Sequence, residues 1–429
     1  MAEDLDFKIK LENLEMVNFR GFKHVNIPFK NQWTVIIGEN GAGKTTIIEA
    51  LAGLLHVLIS KIKSQSVQNI EGFDAERDLH VEDGEQAKEA INTLKATVNG
   101  HELEWFATLS MDGYAPEDVT DFSALDKLVA QINELFTTKV KINLPTIVYY
   151  PCFAAQEELL PERKLKADPF QAYDNALSGK PFEFGNFTEW FKGHEARAKN
   201  KEDSRRIIDA TREAIYYFLN DSPDDWSDLR IDYEDYLSGE LVIDKKGEKL
   251  KINQLSSGEK TLFLLVSDLT RRMALLNPKR EKTFEGQGIV LIDEIDLHLH
   301  PRWEMAVVSK LKRTFPGIQF IITTHSPHVL QNVEREYLVI LDNFQISKAE
   351  LPYVEGRDTN SVLADAFLVN PGPRAEKGKI WKMVTNCYEL IDDDKLEEAK
   401  GLLEKITEKW GENDRTVVEL RTLLELATA

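Results

Sequence analysis

Residues 33–50 read WTVIIGENGAGKTTIIEA. The run WTVIIG (33–38) is apolar throughout, which predicts a strand buried on both faces. TTIIEALAGLLHVLISKI (45–62) spaces its apolar residues as a helix does. Between them, Gly38-Glu39-Asn40-Gly41-Ala42-Gly43-Lys44-Thr45 fits the pattern G-x-x-x-x-G-K-[ST]. A strand before and a helix after are the context in which that pattern is a phosphate-binding loop. Its glycines let backbone N–H groups curl around phosphates without Cβ clashes. Lys44 offers a point charge to β- and γ-phosphates, and Thr45 a hydroxyl to Mg²⁺.

Three later stretches extend this reading. Gly288-Ile289-Val290-Leu291-Ile292-Asp293-Glu294 predicts a buried strand with two carboxylates at its C-terminal end, where open α/β sheets bind ligands. Asp293 suits Mg²⁺, and Glu294 is placed to orient or deprotonate an attacking water. Leu255-Ser256-Ser257-Gly258-Glu259-Lys260 opens a helix, and its free N–H groups and helix dipole suit an anion. Alone it reads equally as an ordinary helix cap. Thr323-Thr324-His325-Ser326-Pro327 ends another buried strand, where a histidine can hydrogen-bond a γ-phosphate.

The rest of the chain frames these motifs. LENLEMVNFRGF (11–22) and HVNIPF (24–29) alternate like half-buried antiparallel strands. Residues 62–90 read as a polar loop. INTLKATVNGHELEWFATL (91–109) reads as a hairpin turning at Asn99-Gly100, and 122–139 as a helix. LPTIVYYP (144–151) predicts a second buried strand, 152–227 an exposed helical region, and 229–244 and 248–253 short strands. Strand–helix alternation from 255 onward predicts an α/β domain with a mostly parallel sheet. The sequence thus divides into 1–150 and 229–345 as two parts of one α/β nucleotide-binding domain, an inserted helical lobe at 151–228, and a helical tail at 346–429 that is a candidate partner-binding region. No sustained heptad pattern predicts a long coiled coil.

Fifty-three basic against 73 acidic residues give a net charge of −20, which disfavours non-specific nucleic-acid binding by the whole surface. Two cysteines, Cys152 and Cys387, exclude a disulfide framework and a cysteine zinc site and suit a cytosolic protein. MAEDLDFKIK lacks the apolar core of a signal peptide, and no stretch reads as a membrane span. His298 and His300 lack a third ligand nearby, and Asp392-Asp393-Asp394 reads as an acidic helix start rather than a metal cluster.

In this order, and with NFRGFK at 18–23, the motifs resemble the ABC-type ATPases, in particular the RecF/SMC-like branch. The resemblance implies a dimer closing around two ATP molecules with Mg²⁺. Gly38, Asn40, Gly41, Gly43, Lys44, Thr45 and Thr46 would bind nucleotide in one protomer. Ser256, Ser257, Gly258 and Glu259 would approach it from the other. Thr45 and Asp293 would hold Mg²⁺, Glu294 would be the base, and His325 the switch histidine. Arg20 would lie near the nucleotide, and Gln156, after the 144–151 strand, would be the Q-loop glutamine and a further Mg²⁺ contact. Where many relatives carry an Asp six positions after the base, this chain has His300, so D-loop mechanics do not transfer directly.

FTEWFKGHEARAKNKE (187–202), GRDTNSVL (356–363) and EAKGLLEKITEKWGENDRTVVEL (398–420) are similar to the Septu PtuA-like ATPases of anti-phage defence, which also occur beside retrons. That similarity implies a bacterial cytoplasmic regulatory ATPase paired with a small HNH nuclease, PtuB-like, with a retron reverse transcriptase or its msDNA as further partners. The alternative is a RecF-like repair ATPase that binds DNA directly.

Overall fold

The computed structural model describes residues 6–29, 32–63, 73–110, 142–152, 168–180, 184–221, 225–234, 239–278, 280–347, 354–355, 379–393, 395–412 and 415–428, with a few positions between 126 and 134. Two compact units, Met1–Phe367 and Leu368–Ala429, divide the chain.

In the first unit the chain runs β1 (Ile9–Phe19), β2 (Phe22–Pro28), β3 (Trp33–Gly38) and α1 (Lys44–Ile62). Short α2 (Ala75–Asp78) and a small hairpin of β4 (Val81–Glu82) and β5 (Glu85–Gln86) stand where a loop is expected. Asp74 caps α2 through the amides of Glu76 and Arg77, which is why the polar run turns helical there. β6 (Glu89–Val98) and β7 (His101–Ser110) form the hairpin, and β8 (Thr146–Tyr150) follows. Next come α3 (Phe184–Ala198), α4 (Glu202–Leu219), β9 (Trp226–Asp232), β10 (Glu240–Lys245) and β11 (Glu248–Lys251). The unit continues through α5 (Ser257–Leu276), β12 (Gly288–Ile292), α6 (Pro301–Thr314), β13 (Ile318–Thr323), α7 (Pro327–Leu330), β14 (Leu338–Asp342) and β15 (Gln345–Ile346).

The central sheet has the order β15-β14-β3-β13-β12-β8, parallel except for the edge strand β15. The fold class is therefore α/β, as the alternation predicts. Successive side chains of a strand point to opposite faces. Trp33, Val35 and Ile37 accordingly join one core and Ile36 the other, as do Val290 and Ile292 against Ile289 and Leu291. Both faces are covered, which explains the unbroken apolar runs.

The first face is covered by α3, α4, α5 and α6, with Phe187, Phe191, Phe218, Phe263 and Leu311 buried. This corrects the reading of 152–227 as exposed: among its described residues, α3 and α4 each bury one side in the head's own core. Only their outer sides are polar, and the sequence shows both sides at once. The opposite face is covered by α1 and then by the antiparallel sheet β2-β1-β6-β7. Trp105 Nε1 donates to the Leu54 carbonyl at 2.9 Å and ties that sheet to α1. Truncating a buried leucine of α1 to alanine costs about 2–5 kcal/mol. By length and composition α1 is apolar enough to cross a membrane, contrary to the sequence reading; 78% of that stretch is buried inside the fold, as in a core helix.

Gln319 on β13 joins the two sheets. Its side chain accepts from the Leu11 amide at 2.7 Å and donates to the Leu11 carbonyl at 3.0 Å. The pairing of β1 with β6 shifts register between Leu11 and Asn13, so the amide side chain satisfies backbone groups at an irregular step.

The second unit contains α8 (Lys379–Asp392), α9 (Leu396–Trp410) and α10 (Arg415–Thr428), as the helical tail predicts. Val384, Cys387, Ile406, Val417 and Leu420 are buried among its core residues. Asp392 closes α8 instead of opening the next helix, which begins with Glu397 and Glu398 in its first turn. Asp394, the segment GRDTNSVL and most of 122–139 lie outside the described residues.

Candidate nucleotide site

The register of the parallel sheet assembles the site. Ile292 of β12 pairs with Ile322 of β13, and Thr323 of β13 pairs with Ile36 of β3. Three strands therefore end side by side. Gly38, Asp293 and Thr323 leave from neighbouring C-terminal ends, the crevice where such sheets take ligands.

The loop after β3 depends on close approach. At Gly43 φ is +100°, and a Cβ would come within 2.5 Å of the Phe22 ring and 2.9 Å of the Phe344 ring. A side chain there would be strained by the positive φ and would displace those rings. Lys44 is buried, and its Nζ donates to the carbonyls of Gly38 and Glu39 at 3.0 Å each. These bonds curl the ammonium back over the loop. Burial lowers its pKa from the ordinary lysine value, opposed by the carboxylates of Glu294, Asp293 and Asp296.

Thr45 is the second residue of α1. Its Oγ1 donates to Asp293 Oδ2 at 2.8 Å. The other carboxylate oxygen of Asp293 accepts from Thr323 Oγ1 at 2.5 Å, and Thr323 Oγ1 accepts the Glu294 amide at 2.7 Å. Burial raises the Asp293 pKa from the usual carboxylate value, against the two hydroxyl donors that lower it. A hydroxyl and a buried carboxylate meeting directly, beside a lysine held by the loop, are the donor set that Mg²⁺ with a phosphate chain requires. The residues fit that group. Among the described residues no three His, Cys, Asp or Glu side chains gather into a metal cage.

Glu294 lies just beyond, with φ +50°, an uncommon conformation for a non-glycine residue. Cys152, two residues after β8, donates its thiol to Glu294 Oε2 at 3.2 Å. Partial burial of the thiol and then the facing carboxylate push the Cys152 pKa up to about 12. The sequence singled out this cysteine only for disulfide and zinc chemistry, and its place beside Glu294 depends on the β8–β12 register. His325 is half-buried, and burial followed by the Lys44 charge lowers its pKa.

The remaining sequence candidates divide. Ser256 caps α5, its hydroxyl donating to Glu259 Oε2 at 2.8 Å, and Lys245 on β10 pairs with Glu259 at 2.7 Å. Burial alone would raise the Glu259 pKa, but Lys245 and Ser256 hold the carboxyl below its ordinary value. A Cβ on Gly258 would lie 3.2 Å from the His298 carbonyl, so the start of α5 packs closely on the turn after Glu294. Arg20 has φ +50° and pairs with Asp78 at 2.8 Å and with Glu49 of α1. It lines an open cleft of about 650 Å³ with Glu49, Arg77, His80 and Phe344, on the flank of the loop. Gln156 lies outside the described residues. His300 accepts the Arg302 amide at Nδ1, 3.3 Å, and caps α6 ahead of Pro301; this is a structural use for the unexpected histidine.

Comparison with known proteins finds ATPases. The protein described as "Retron Ec83 probable ATPase" of Escherichia coli is 27% identical, covering 97% of this chain and 87% of that protein. "Retron Vc95 probable ATPase" of Vibrio cholerae serotype O1 biovar El Tor is 28% identical over 83% of this chain and 79% of its own. "Septu protein PtuA" of Bacillus thuringiensis is 22% identical over 80% of each. Residues 33–331, from β3 through α7, match the family described as "AAA domain, putative AbiEii toxin, Type IV TA system", and the chain belongs to that family.

Proposed function

We propose that this chain is the ATP-binding and ATP-hydrolysing regulatory subunit of a bacterial anti-phage defence complex, and that it controls a separate HNH-type nuclease. The observation that carries the ATPase part is the hydrogen-bonded series Thr45–Asp293–Thr323–Glu294, which gathers residues from three strand ends around one crevice. The similarity to retron ATPases and to a Septu protein supports the defence part.

Bound Mg-ATP would supply the scissile phosphoanhydride and the neutralising cation. The amides from Gly38 to Thr46, including Asn40, Gly41 and Gly43, are the donors for the phosphate oxygens. Lys44 would exchange its two carbonyl partners for phosphate, and Thr45 and Asp293 would hold the cation. Glu294 orients water and accepts its proton as oxygen bonds to the γ-phosphorus and the bond to the ADP oxygen breaks. His325 hydrogen-bonds the γ-phosphate from the β13 side. Ser256, Ser257, Gly258 and Glu259 complete the site from a second protomer. The tail, residues 346–429, is the proposed contact region for the nuclease. This assignment puts the complex in the cytoplasm.

The test is a pull-down of the tagged chain from its native host, with and without Mg-ATP, read by mass spectrometry. The proposal expects a stoichiometric small protein with an HNH signature. A preparation with no protein partner that retains DNA would overturn it in favour of a RecF-like ATPase.

A further inference from the structure

We infer that Asp296 is a positioning residue for His325, tying the switch histidine to the same turn that presents Glu294. The inference rests on the ATPase reading above. Thr324 is the last residue beyond β13 whose amide still reaches β3, at the Ile36 carbonyl, 3.3 Å. The His325 amide turns instead to Asp296 Oδ1, at 3.3 Å. That same oxygen accepts from Thr324 Oγ1 at 2.5 Å, and Thr324 Oγ1 in turn accepts the Ser326 amide at 3.0 Å. The histidine is thereby held on both sides, through the residues before and after it, by one carboxylate oxygen.

That carboxylate has little freedom of its own. Its turn is fixed by the Ile295 amide to the Thr323 carbonyl at 3.1 Å, by Leu297 to Glu294 at 3.0 Å, and by Leu299 to Asp296 at 3.0 Å. Ser326 adds a second tie between the segments, its hydroxyl donating to Glu304 of α6. Asp296 is two residues from Glu294, so the separation between base and histidine is set by a hydrogen-bonded turn and not by two independent loops. A displacement near 1 Å in such a pair costs on the order of 10²-fold in rate.

The role needs an acceptor oxygen that takes two donors, which an amide side chain also provides. Asp296→Ala should lower kcat by about 10- to 100-fold while the Mg-ATP affinity stays within about threefold. Asp296→Asn should restore kcat to within about threefold of wild type. Thr324→Val should lower kcat as Asp296→Ala does, and Thr324→Ser should not, which preserves the test if the alanine variant folds poorly. The experiment measures single-turnover hydrolysis and fluorescent-ATP binding for wild type and all four variants. Wild-type kcat in Asp296→Ala, or an Asp296→Asn as slow as the alanine variant, would overturn the inference. A wild-type chain that neither binds nor hydrolyses Mg-ATP would remove the ATPase reading, and this inference with it.

Discussion

Thr45 Oγ1 and Asp293 Oδ2 meet at 2.8 Å although 248 residues separate them in the chain. One residue lies in the first turn of the helix after β3 and the other directly follows β12, and β13 lies between those strands. Thr323, at the end of β13, closes the gap with a single hydroxyl that donates to Asp293 and accepts from the Glu294 amide. Three strand ends are thus joined by hydrogen bonds, which fixes the relative positions of Thr45, Asp293 and Glu294.

Thr323→Val keeps the side-chain shape and removes that hydroxyl. It leaves a buried carboxylate oxygen and an amide without their partner, which costs about 1–3 kcal/mol. Urea unfolding should show this loss, and Mg-ATP affinity should fall with it. Thr323→Ser should recover both. A valine variant with unchanged stability and affinity would mean that water replaces the hydroxyl without cost.

The Cys152 thiol should be slow to alkylate. With its pKa pushed up to about 12 by burial and by Glu294, little thiolate is present at pH 8. Its rate with iodoacetamide should be on the order of 10³-fold below that of a free cysteine. Glu294→Gln should speed the reaction by removing the facing charge. Labelling at a free-cysteine rate would show that the thiol does not rest against the carboxylate.

Asp268 is fully enclosed between Arg271 at 3.1 Å and Arg272 at 2.6 Å, and it also accepts from the Tyr150 hydroxyl at 3.0 Å. Burial would raise its pKa, but Arg272 and Arg271 hold it below the usual carboxylate value. Its contribution is therefore present above the unfolded carboxylate range and is lost only as pH falls through the depressed folded value. Asp268→Ala should cost about 3–5 kcal/mol at neutral pH, because two buried guanidinium groups lose their counter-ion. A loss under about 1 kcal/mol in urea unfolding would contradict the buried-charge account.

The sheet was legible because burial on both faces leaves an unmistakable apolar run at 33–38, 288–292 and 318–323. The carboxylates and the histidine follow those runs directly, so their place at the strand ends could be read too. Side-chain partners brought from elsewhere could not. Cys152 reaches Glu294 only through the β8–β12 pairing, and Arg20 finds Asp78 in a segment that reads as polar loop. α3 and α4 read as exposed because an amphipathic helix does not announce which surface receives its apolar side. His300 departs from the motif pattern, and its capping bond supplies the local reason.

The most direct measurement is sedimentation of Glu294→Gln with Mg-ATP, alongside its steady-state turnover. The carboxamide keeps the shape at the γ-phosphate but cannot accept the water's proton, so turnover should drop by about 10²–10⁴-fold. Nucleotide should then persist, and the mass should double over the ATP-free form as two protomers close on shared ATP. Lys44→Ala should show neither nucleotide binding nor the larger species. A Glu294→Gln chain that hydrolyses at the wild-type rate, or that holds ATP without associating, would contradict the account.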